Sequence, residues 1–257
     1  MNEPVEERKA EPSVSDAVRC MRTEGYLTLD EVVNPGLINR ARQTFVERYS
    51  RFLEDEEQPD ALVVGTRRRM VTLRIEPPFD DAQFLANPRL LPIFKALLGE
   101  DCVLGSFGVV CSLPGAEKQH VHRDGILFPD APIDGLVPVF AITMAMPLLE
   151  MNEVNGTTAL FPASHLRTAQ EPTGPTHEPH VREGGCVLWD YRLAHAGTPN
   201  RGSLPRPLLY ATYCRPWFLD YVNFQRQQKP LLVDDSVRSS LGAESQRLLV
   251  RVLGRQH

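Results

Sequence analysis

The chain has 257 residues, of which 42 % are hydrophobic and 24 % charged, an ordinary composition for a soluble globular protein. Its 28 basic and 33 acidic residues give a net charge of −5, so the overall charge favours neither nucleic acid nor an anionic membrane as a partner. No apolar run approaches the roughly 20 residues of a membrane span, and the polar N-terminus lacks the apolar core of a secretion signal.

The cysteine pattern indicates the compartment. Five cysteines are scattered along the chain without CxxC spacing, which favours buried free thiols over a disulfide framework or a thiolate zinc site. We therefore expect a cytoplasmic protein. They are Cys20, Cys102, Cys111, Cys186 and Cys214.

The first hundred residues carry mainly helix signals. We expect residues 1–14 to be a disordered tail, followed by a short helix that Ser15 or Asp16 caps and that stops at Gly25. Asn34 followed by Pro35 predicts the start of a second helix, with an apolar residue every four positions. A third begins at the Asn87-Pro88 pair and runs to Gly99, and it contains Pro92.

The texture changes after residue 100 to short apolar segments separated by Gly and Pro. These segments are rich in β-branched and aromatic residues, which is typical of strands. Many strands after a helical section predict a β-sandwich or barrel with helices packed on one face, within a single domain. A last helix is expected from Ser236 to Leu253, with a weak pattern at Gly242.

The segment "QHVHRDG", residues 119–125, concentrates groups that can bind a metal. On a strand, His120, His122 and Asp124 share one face, and neighbours two apart are separated by about 7 Å. Of the adjacent pairs, only His122 with Asp124 supplies a carboxylate. Two histidines with one carboxylate suit non-haem Fe(II), because this set leaves coordination positions open for O₂ and a co-substrate.

A third ligand must come from a distant part of the chain. His177 and His180 lie in a Pro-rich loop that supports a fixed ligand poorly, and His257 is the last residue. His165 and His195 remain, and spacing alone separates them only slightly. His195 is favoured because it follows the predicted strand "GGCVLWD" directly.

Three ordered blocks resemble a known family. "KQHVHRDG", "NGTTALFPASH" and "GGCVLWDYRLAHAGTPNRGSLPRPLLYATYCRPW", within residues 118–217, look like the phytanoyl-CoA dioxygenase family of Fe(II)- and 2-oxoglutarate-dependent oxygenases. The resemblance implies a double-stranded β-helix, the cupin-like jelly roll, with its core at residues 100–217 and a helical N-terminal section. It also implies Fe(II), 2-oxoglutarate and O₂ as cofactor and co-substrates.

The resemblance also assigns individual residues. His122, Asp124 and His195 match the metal ligands, and Arg206 matches the arginine that binds the far carboxylate of 2-oxoglutarate. Gln119 and Thr158 match positions that hydrogen-bond the co-substrate, although strict alternation would point Gln119 away from the His122 face.

Four other positions in the same blocks bear on the resemblance, some by agreeing with the family pattern and some by departing from it. Arg201 is a nearer competitor of Arg206, but its turn context predicts an exposed residue. Leu208 stands where many relatives have serine or threonine. His165 matches a block residue with a structural role at a turn. Because Asp124 retains the carboxylate that halogenating relatives lack, the resemblance implies hydroxylation or a related oxidation of a C–H bond.

The substrate is predicted only as a small molecule. The run "GTRRRM", which contains Arg67, Arg68 and Arg69, lies close to Arg74 and either forms a solvated strand edge or clamps an anionic substrate group. The Gly/Pro-rich segment 125–138 is either a mouth over the site or an irregular loop.

Two other functions remain open from the residues. A zinc hydrolase could use the same three ligands, but it leaves Arg206 without a purpose. A catalytically silent member of the fold, binding a small molecule or a partner protein, is the non-enzyme alternative.

Overall fold

The computed structural model describes residues 11–54, 61–128, 133, 136–224 and 229–253. The strands are β1 Tyr26–Leu29, β2 Leu62–Gly65, β3 Arg68–Thr72, β4 Val103–Ser112, β5 Ala141–Pro147, β6 Thr158–Leu160, β7 Cys186–Asp190, β8 His195–Gly197 and β9 Arg206–Cys214. The helices are α1 Val14–Thr23, α2 Pro35–Arg48, α3 Ala82–Leu85, α4 Leu91–Leu98, α5 Asp235–Ser240, α6 Ala243–Leu248 and α7 Val250–Leu253.

Most strands belong to one large sheet. Within the described residues it has seven strands, all antiparallel, in the order β1-β7-β5-β9-β4-β3-β2. Non-sequential neighbours such as β5 and β9 place residues far apart in the chain side by side. The predicted architecture of a β core with packed helices is confirmed.

The two faces of the large sheet carry different residues. On β9, Leu209, Ala211 and Tyr213 belong to the apolar core shared with the helices. Leu208 and Tyr210 point to the opposite face, into a smaller apolar cluster. Because side chains alternate along a strand, this inner face also receives Arg206. The alternation of β9 therefore sets one guanidinium, one leucine and one phenol in a row facing the small sheet.

The second layer is short. β6 pairs with β8, and the ladder is extended by one bridge between His122 and His195 and another between Leu160 and His177. The face assignment from the sequence treated segment 119–125 as a strand. The segment is not a regular strand, because His122 is its only residue that forms a bridge. His122 and Asp124 thus lie on irregular backbone that is held against β8 by the bridge from His122 to His195.

The predicted helices of the N-terminal section form, with corrections at their starts. Ser13, and not Ser15 or Asp16, caps α1: its Oγ accepts from the Asp16 amide at 3.1 Å. The predicted tail therefore ends before residue 13, and residues 1–10 lie outside the described part. Asn34 caps α2 as predicted, with Oδ1 accepting from the Gly36 amide at 2.8 Å.

Proline and glycine set the limits of the helix predicted after Asn87 and of the predicted C-terminal helix. α4 starts at Leu91, after a turn at Asn87, because Pro92 is tolerated only in the first turn of a helix. Its predicted end at Gly99, with φ of 103°, is confirmed. The expected C-terminal helix is three short ones, and the first break falls at Gly242. Among the described helices, none has the length and apolar character that a membrane span needs.

Three strands of the large sheet lie before residue 100, so the expected core limits of 100–217 were too narrow. β1 and β3 are short, and β3 begins with two arginines, which do not resemble a buried strand in the sequence. Nevertheless all five residues of β3 are buried. The strand therefore brings arginine side chains into the interior, beside β4.

Candidate metal centre

His122, Asp124 and His195 lie together, and each offers one ligand atom within 4.8 Å of the others. Nε2 of His195 is 3.7 Å from Oδ1 of Asp124, and the two imidazole rings are 4.4 Å apart between centroids. The backbones of His122 and His195 exchange two hydrogen bonds, of 3.0 and 2.9 Å. This bridge explains how side chains 73 positions apart in the sequence converge.

The two histidines are oriented by backbone carbonyls. Nδ1 of His122 is 3.0 Å from the carbonyl oxygen of His120, and Nδ1 of His195 is 2.9 Å from that of Leu193. A carbonyl can only accept, so each Nδ1 carries the proton and each Nε2 keeps its lone pair. Burial, followed by repulsion from His195, lowers the pKa of His122. The neutral imidazole that a metal requires is thereby favoured.

One oxygen of the Asp124 carboxylate is held by three donors. Oδ2 accepts from Thr143 Oγ1 at 2.7 Å, from Tyr210 OH at 2.8 Å and from Trp189 Nε1 at 3.0 Å. The Tyr210 hydroxyl is also 2.9 Å from Oδ1. Because burial and then Asp124 itself raise the pKa of Tyr210 well above its usual value, its hydroxyl remains a donor. The carboxylate is fixed with Oδ1 turned towards His195.

A row of polar residues crosses the inner face next to this triad. Arg68, Ser112 and Arg206 occupy paired positions on β3, β4 and β9. Nη2 of Arg206 donates to Ser112 Oγ at 2.9 Å, and Nη2 of Arg68 donates to the carbonyl oxygens of Thr198, at 2.9 Å, and Glu117, at 3.2 Å. We call Arg68, Ser112 and Arg206 the arginine end.

The guanidinium groups of the arginine end keep unused donors. Arg206 is 1 % and Arg68 2 % exposed, yet Nε and Nη1 of Arg206 and Nε of Arg68 have no partner within the described part of the chain. Burial, then repulsion from Arg68, lowers the pKa of Arg206 to about 9, and burial lowers that of Arg68 to about 10. Both remain cations at neutral pH, so the arginine end has the charge to bind an anion.

A glycine allows this packing. An added Cβ at Gly197 would lie 2.4 Å from Nη1 of Arg68 and 2.5 Å from Oε1 of Gln119, so a side chain there would displace both. Gln119 accepts from the Gly197 amide at 2.9 Å and donates to the carbonyl oxygen of Val64. Its amide thus joins β2 to β8. Thr158 pairs with Gly197 and is buried, on the face that carries His195.

The remaining predicted residues lie away from the triad. Arg201 is exposed, as expected. His165 is buried, with Nε2 3.2 Å from the carbonyl oxygen of Arg22, and it does not join the cluster. Of the arginine run, Arg69 donates to the carbonyl oxygens of residues 52 and 54, and Arg74 pairs with Asp234. The run therefore forms no common clamp, and part of the predicted mouth, 129–132 and 134–135, lies outside the described residues.

Sequence reasoning missed the residues that support the candidate ligands. Thr143, Trp189 and Tyr210 hold Asp124, and Arg68 stands beside Arg206. Tyr210 had a readable signal, since it is four positions after Arg206 and so on the same face of one strand. Thr143 and Trp189 had none, because their neighbourhood depends on strand order and not on spacing.

The donor set fits a divalent metal with an anionic co-ligand. Two imidazole nitrogens and one carboxylate oxygen leave coordination positions open, which is the set used by non-haem Fe(II) oxygenases. The guanidinium of Arg206 has free donors for a carboxylate at Nε and at Nη1, and a buried cation without a counter-ion is costly. A bound dicarboxylate removes that cost.

Comparison with known proteins adds a family. Residues 21–208 match the family model described as "Phytanoyl-CoA dioxygenase (PhyH)". "Dioxygenase af480" of Aspergillus fumigatus is 29 % identical over 147 residues, which are 54 % of this chain and 46 % of that protein. The chain thus aligns with about half the length of this curated relative.

Solved structures share the fold. AviO1 from Streptomyces viridochromogenes Tue57 superposes with a TM-score of 0.64 and 22 % identity, over 82 % of this chain and 99 % of that one. The epimerase SnoN, solved in complex with Fe3+, alpha ketoglutarate and nogalamycin RO, gives a TM-score of 0.57 and 19 % identity, over 85 % and 93 %. At this identity the likeness concerns the architecture.

Proposed function

Because the chain belongs to the phytanoyl-CoA dioxygenase family, we propose that it is an Fe(II)- and 2-oxoglutarate-dependent oxygenase that oxidises a C–H bond of a small organic molecule. The expected family is confirmed by the match over residues 21–208. The observation that carries the proposal is the juxtaposition of the His122, Asp124 and His195 cluster with two buried, incompletely partnered arginines.

The three ligands have separate tasks in this proposal. His122 and His195 bind Fe(II) through Nε2, since their Nδ1 protons point to backbone carbonyls. Asp124 binds through Oδ1 while its other oxygen stays on its three donors. These outer hydrogen bonds limit the carboxylate to one orientation.

The arginine end binds the co-substrate in this proposal. Arg206 binds the far carboxylate of 2-oxoglutarate through its free N–H groups, and Ser112 holds Nη2 in place. Arg68 adds a second positive charge and compensates for Leu208, which offers no hydroxyl. Thr158 and Gln119 are proposed as minor contacts, and the engagement of Gln119 with Val64 and Gly197 makes positioning its main task.

With Fe(II) and 2-oxoglutarate bound, O₂ converts the co-substrate to succinate and CO₂ and the substrate C–H bond is oxidised. The chain contributes charge, orientation and dryness. Leu208 and Trp189 belong to the apolar cluster on the inner face, so the arginine–carboxylate contact forms away from water, where it is stronger. The free cysteines agree with a reducing environment, and we place the protein in the cytoplasm.

Succinate release tests the proposal. The full chain, supplied with Fe(II), 2-oxoglutarate and O₂, should release succinate, and a compound library should contain molecules that accelerate it. His122→Ala should abolish the release, whereas His180→Ala, which alters an exposed histidine of the Pro-rich loop, should not. Unchanged turnover in His122→Ala would contradict the ligand assignment. Release with zinc in place of iron would contradict the chemistry.

A further inference from the structure

A mainly apolar pocket of about 400 Å³ lies beside the segment that follows Asp124 in the chain. Leu127, three positions after Asp124, forms one side of it, and the segment that follows β9 forms the other. We call this second side, residues 216–221, the aromatic wall; it contributes Pro216, Trp217, Phe218, Leu219 and Tyr221. The volume is within the range of small-molecule sites, about 300–1,000 Å³.

The aromatic wall is unusually exposed for its composition. Trp217 is 60 % exposed and Tyr221 69 %, and the neighbouring Val222 is 74 % exposed. Scattered apolar residues on a surface are normal, whereas a contiguous set around a concavity marks a binding site. Trp217 is also one of only two tryptophans in the sequence, and the other, Trp189, holds Asp124.

Hydrogen bonds attach the aromatic wall to the metal centre. Nδ2 of Asn223 donates to the backbone carbonyl of Asp124 at 2.9 Å and to Asp220 Oδ2 at 2.9 Å. The Tyr191 hydroxyl donates to the same Asp220 oxygen, and its ring meets that of Phe218 edge to face at 5.6 Å. The pocket and the ligand Asp124 are therefore parts of one connected structure.

The charged residue at the pocket is turned to the backbone. The guanidinium of Arg251 donates to the carbonyl oxygens of residues 215, 216 and 218 and contacts Cys214 Sγ. These bonds to neutral acceptors fix the guanidinium at the edge of the pocket, and it keeps its positive charge. The other six lining residues are uncharged, so most of the lining favours an apolar occupant, in contrast to the arginine end.

The two sites lie on opposite sides of Asp124 along β9. Tyr210, which donates to Asp124, is four residues from Arg206, or about 13 Å of strand. The aromatic wall begins at Pro216, beyond the other end of the strand. A co-substrate held by Arg206 therefore leaves the aromatic side free for a second molecule.

We infer that the aromatic wall binds the body of the organic substrate, and that this body is an uncharged, apolar ring system. That the occupant is a substrate rests on the proposed function, whereas its apolar character rests on the residues that line the pocket. Aromatic side chains such as Trp217 and Tyr221 present rigid apolar faces on which a ring system stacks with little loss of side-chain entropy. The polar tips remain in water.

Calorimetric titration of the metal-free full chain tests the inference without catalysis. The probes are progesterone and 2-acetylnaphthalene, which are neutral and polycyclic, and 2-naphthoate as the charged counterpart. We expect both neutral probes to bind and 2-naphthoate to bind at least tenfold more weakly. Trp217→Ala and Tyr221→Ala should each weaken the neutral probes about tenfold, because buried aromatic contacts dominate such sites. Val46→Ala, on an exposed part of α2, should change nothing.

Each outcome decides between the two proposals. Absence of binding by the neutral probes, or equal binding to Trp217→Ala, overturns the pocket assignment. Tight binding of 2-naphthoate that is weakened in Trp217→Ala, and is therefore at this pocket and not at the arginine end, overturns the uncharged substrate class. Succinate release is measured separately on the iron-loaded chain, so probe binding without succinate supports the pocket and contradicts the oxygenase, and the reverse pattern does the opposite.

Discussion

The arginine end and the aromatic wall flank the same carboxylate and differ in almost every physical property. At the arginine end, the guanidinium groups of Arg68 and Arg206 are buried, with at most 2 % of each residue exposed. Three of their nitrogens have no hydrogen-bond partner among the described residues. At the aromatic wall, large apolar side chains are exposed to water, and Nη2 of the nearby Arg251 donates to backbone carbonyls. The arginine end lacks a neutralising anion, and the aromatic wall lacks an apolar partner that would remove its side chains from water.

The difference indicates two kinds of ligand. An unneutralised buried guanidinium costs the free protein several kcal/mol, so the arginine end is suited to a ligand of fixed chemistry that is present in every turnover. An exposed apolar wall costs little, because removing it from water releases only about 25 cal/mol per Å². Such a wall can differ between relatives without disturbing the reaction centre.

The strongest way to break the comparison is Arg206→Met. We expect the KM for 2-oxoglutarate to rise at least about a hundredfold, since two hydrogen bonds to a charged group, each worth about 1.5–3 kcal/mol, are lost. Without ligand, the same variant should have a free energy of unfolding that is higher by about 1 kcal/mol or more, because an unpaired buried charge is removed. Steady-state kinetics and urea unfolding check the two signs. An unchanged KM would contradict the role of Arg206.

Tyr210→Phe tests the carboxylate between the two ends. Removing the hydroxyl that donates to Asp124 should weaken Fe(II) binding about 10- to 100-fold, as is usual for residues that orient a ligand. Tyr213→Phe is the matched control, because its hydroxyl is buried on the same strand but donates to the carbonyl oxygen of Leu85. Anaerobic metal titration followed by equilibrium dialysis gives both affinities. Equal losses in the two variants would mean that the effect is structural.

Ser112→Ala should have a smaller effect on the same end. The hydroxyl accepts from Arg206 and orients it without supplying charge, so the KM for 2-oxoglutarate should rise about tenfold with little change in kcat. Thermal shifts with saturating 2-oxoglutarate should be reduced in proportion. A loss of kcat at unchanged KM would assign Ser112 to the reaction and not to co-substrate binding.

The smallest expected effect is that of Trp217→Ala on stability. Because the indole is 60 % exposed, its removal should change the free energy of unfolding by less than about 0.5 kcal/mol. Urea unfolding of the metal-free chain measures it. A loss of 2 kcal/mol or more would show that the aromatic wall supports the fold, and the contrast with the arginine end would weaken.

Local signals in the sequence were sufficient for the helices and most strands. Asn34 with Pro35 and Gly99 marked helix ends correctly because caps and stops depend on the residues at the ends themselves. β3 was missed because its arginines resemble a solvated edge. Their burial follows from contacts with distant backbone carbonyls and from the position of the strand beside β4, which composition does not encode.

The candidate site was predictable in part for the same reason. His122 and Asp124 are close in the sequence, so their pairing could be read directly. The choice between His195 and His165 could not, because it depends on the backbone bridge that joins His195 to His122, while His165 packs near Gly25. The aromatic wall was not predicted at all, since its pocket arises from segments about ninety positions apart.

Anaerobic addition of Fe(II) and 2-oxoglutarate, followed by visible absorption, tests the central claim most directly. We expect the weak charge-transfer band of an Fe(II)–2-oxoglutarate complex in the unaltered chain and in His165→Gln, and no band in His195→Ala. A band of equal strength in His195→Ala, or none in the unaltered chain, would contradict the claim that His122, Asp124 and His195 together hold one iron ion.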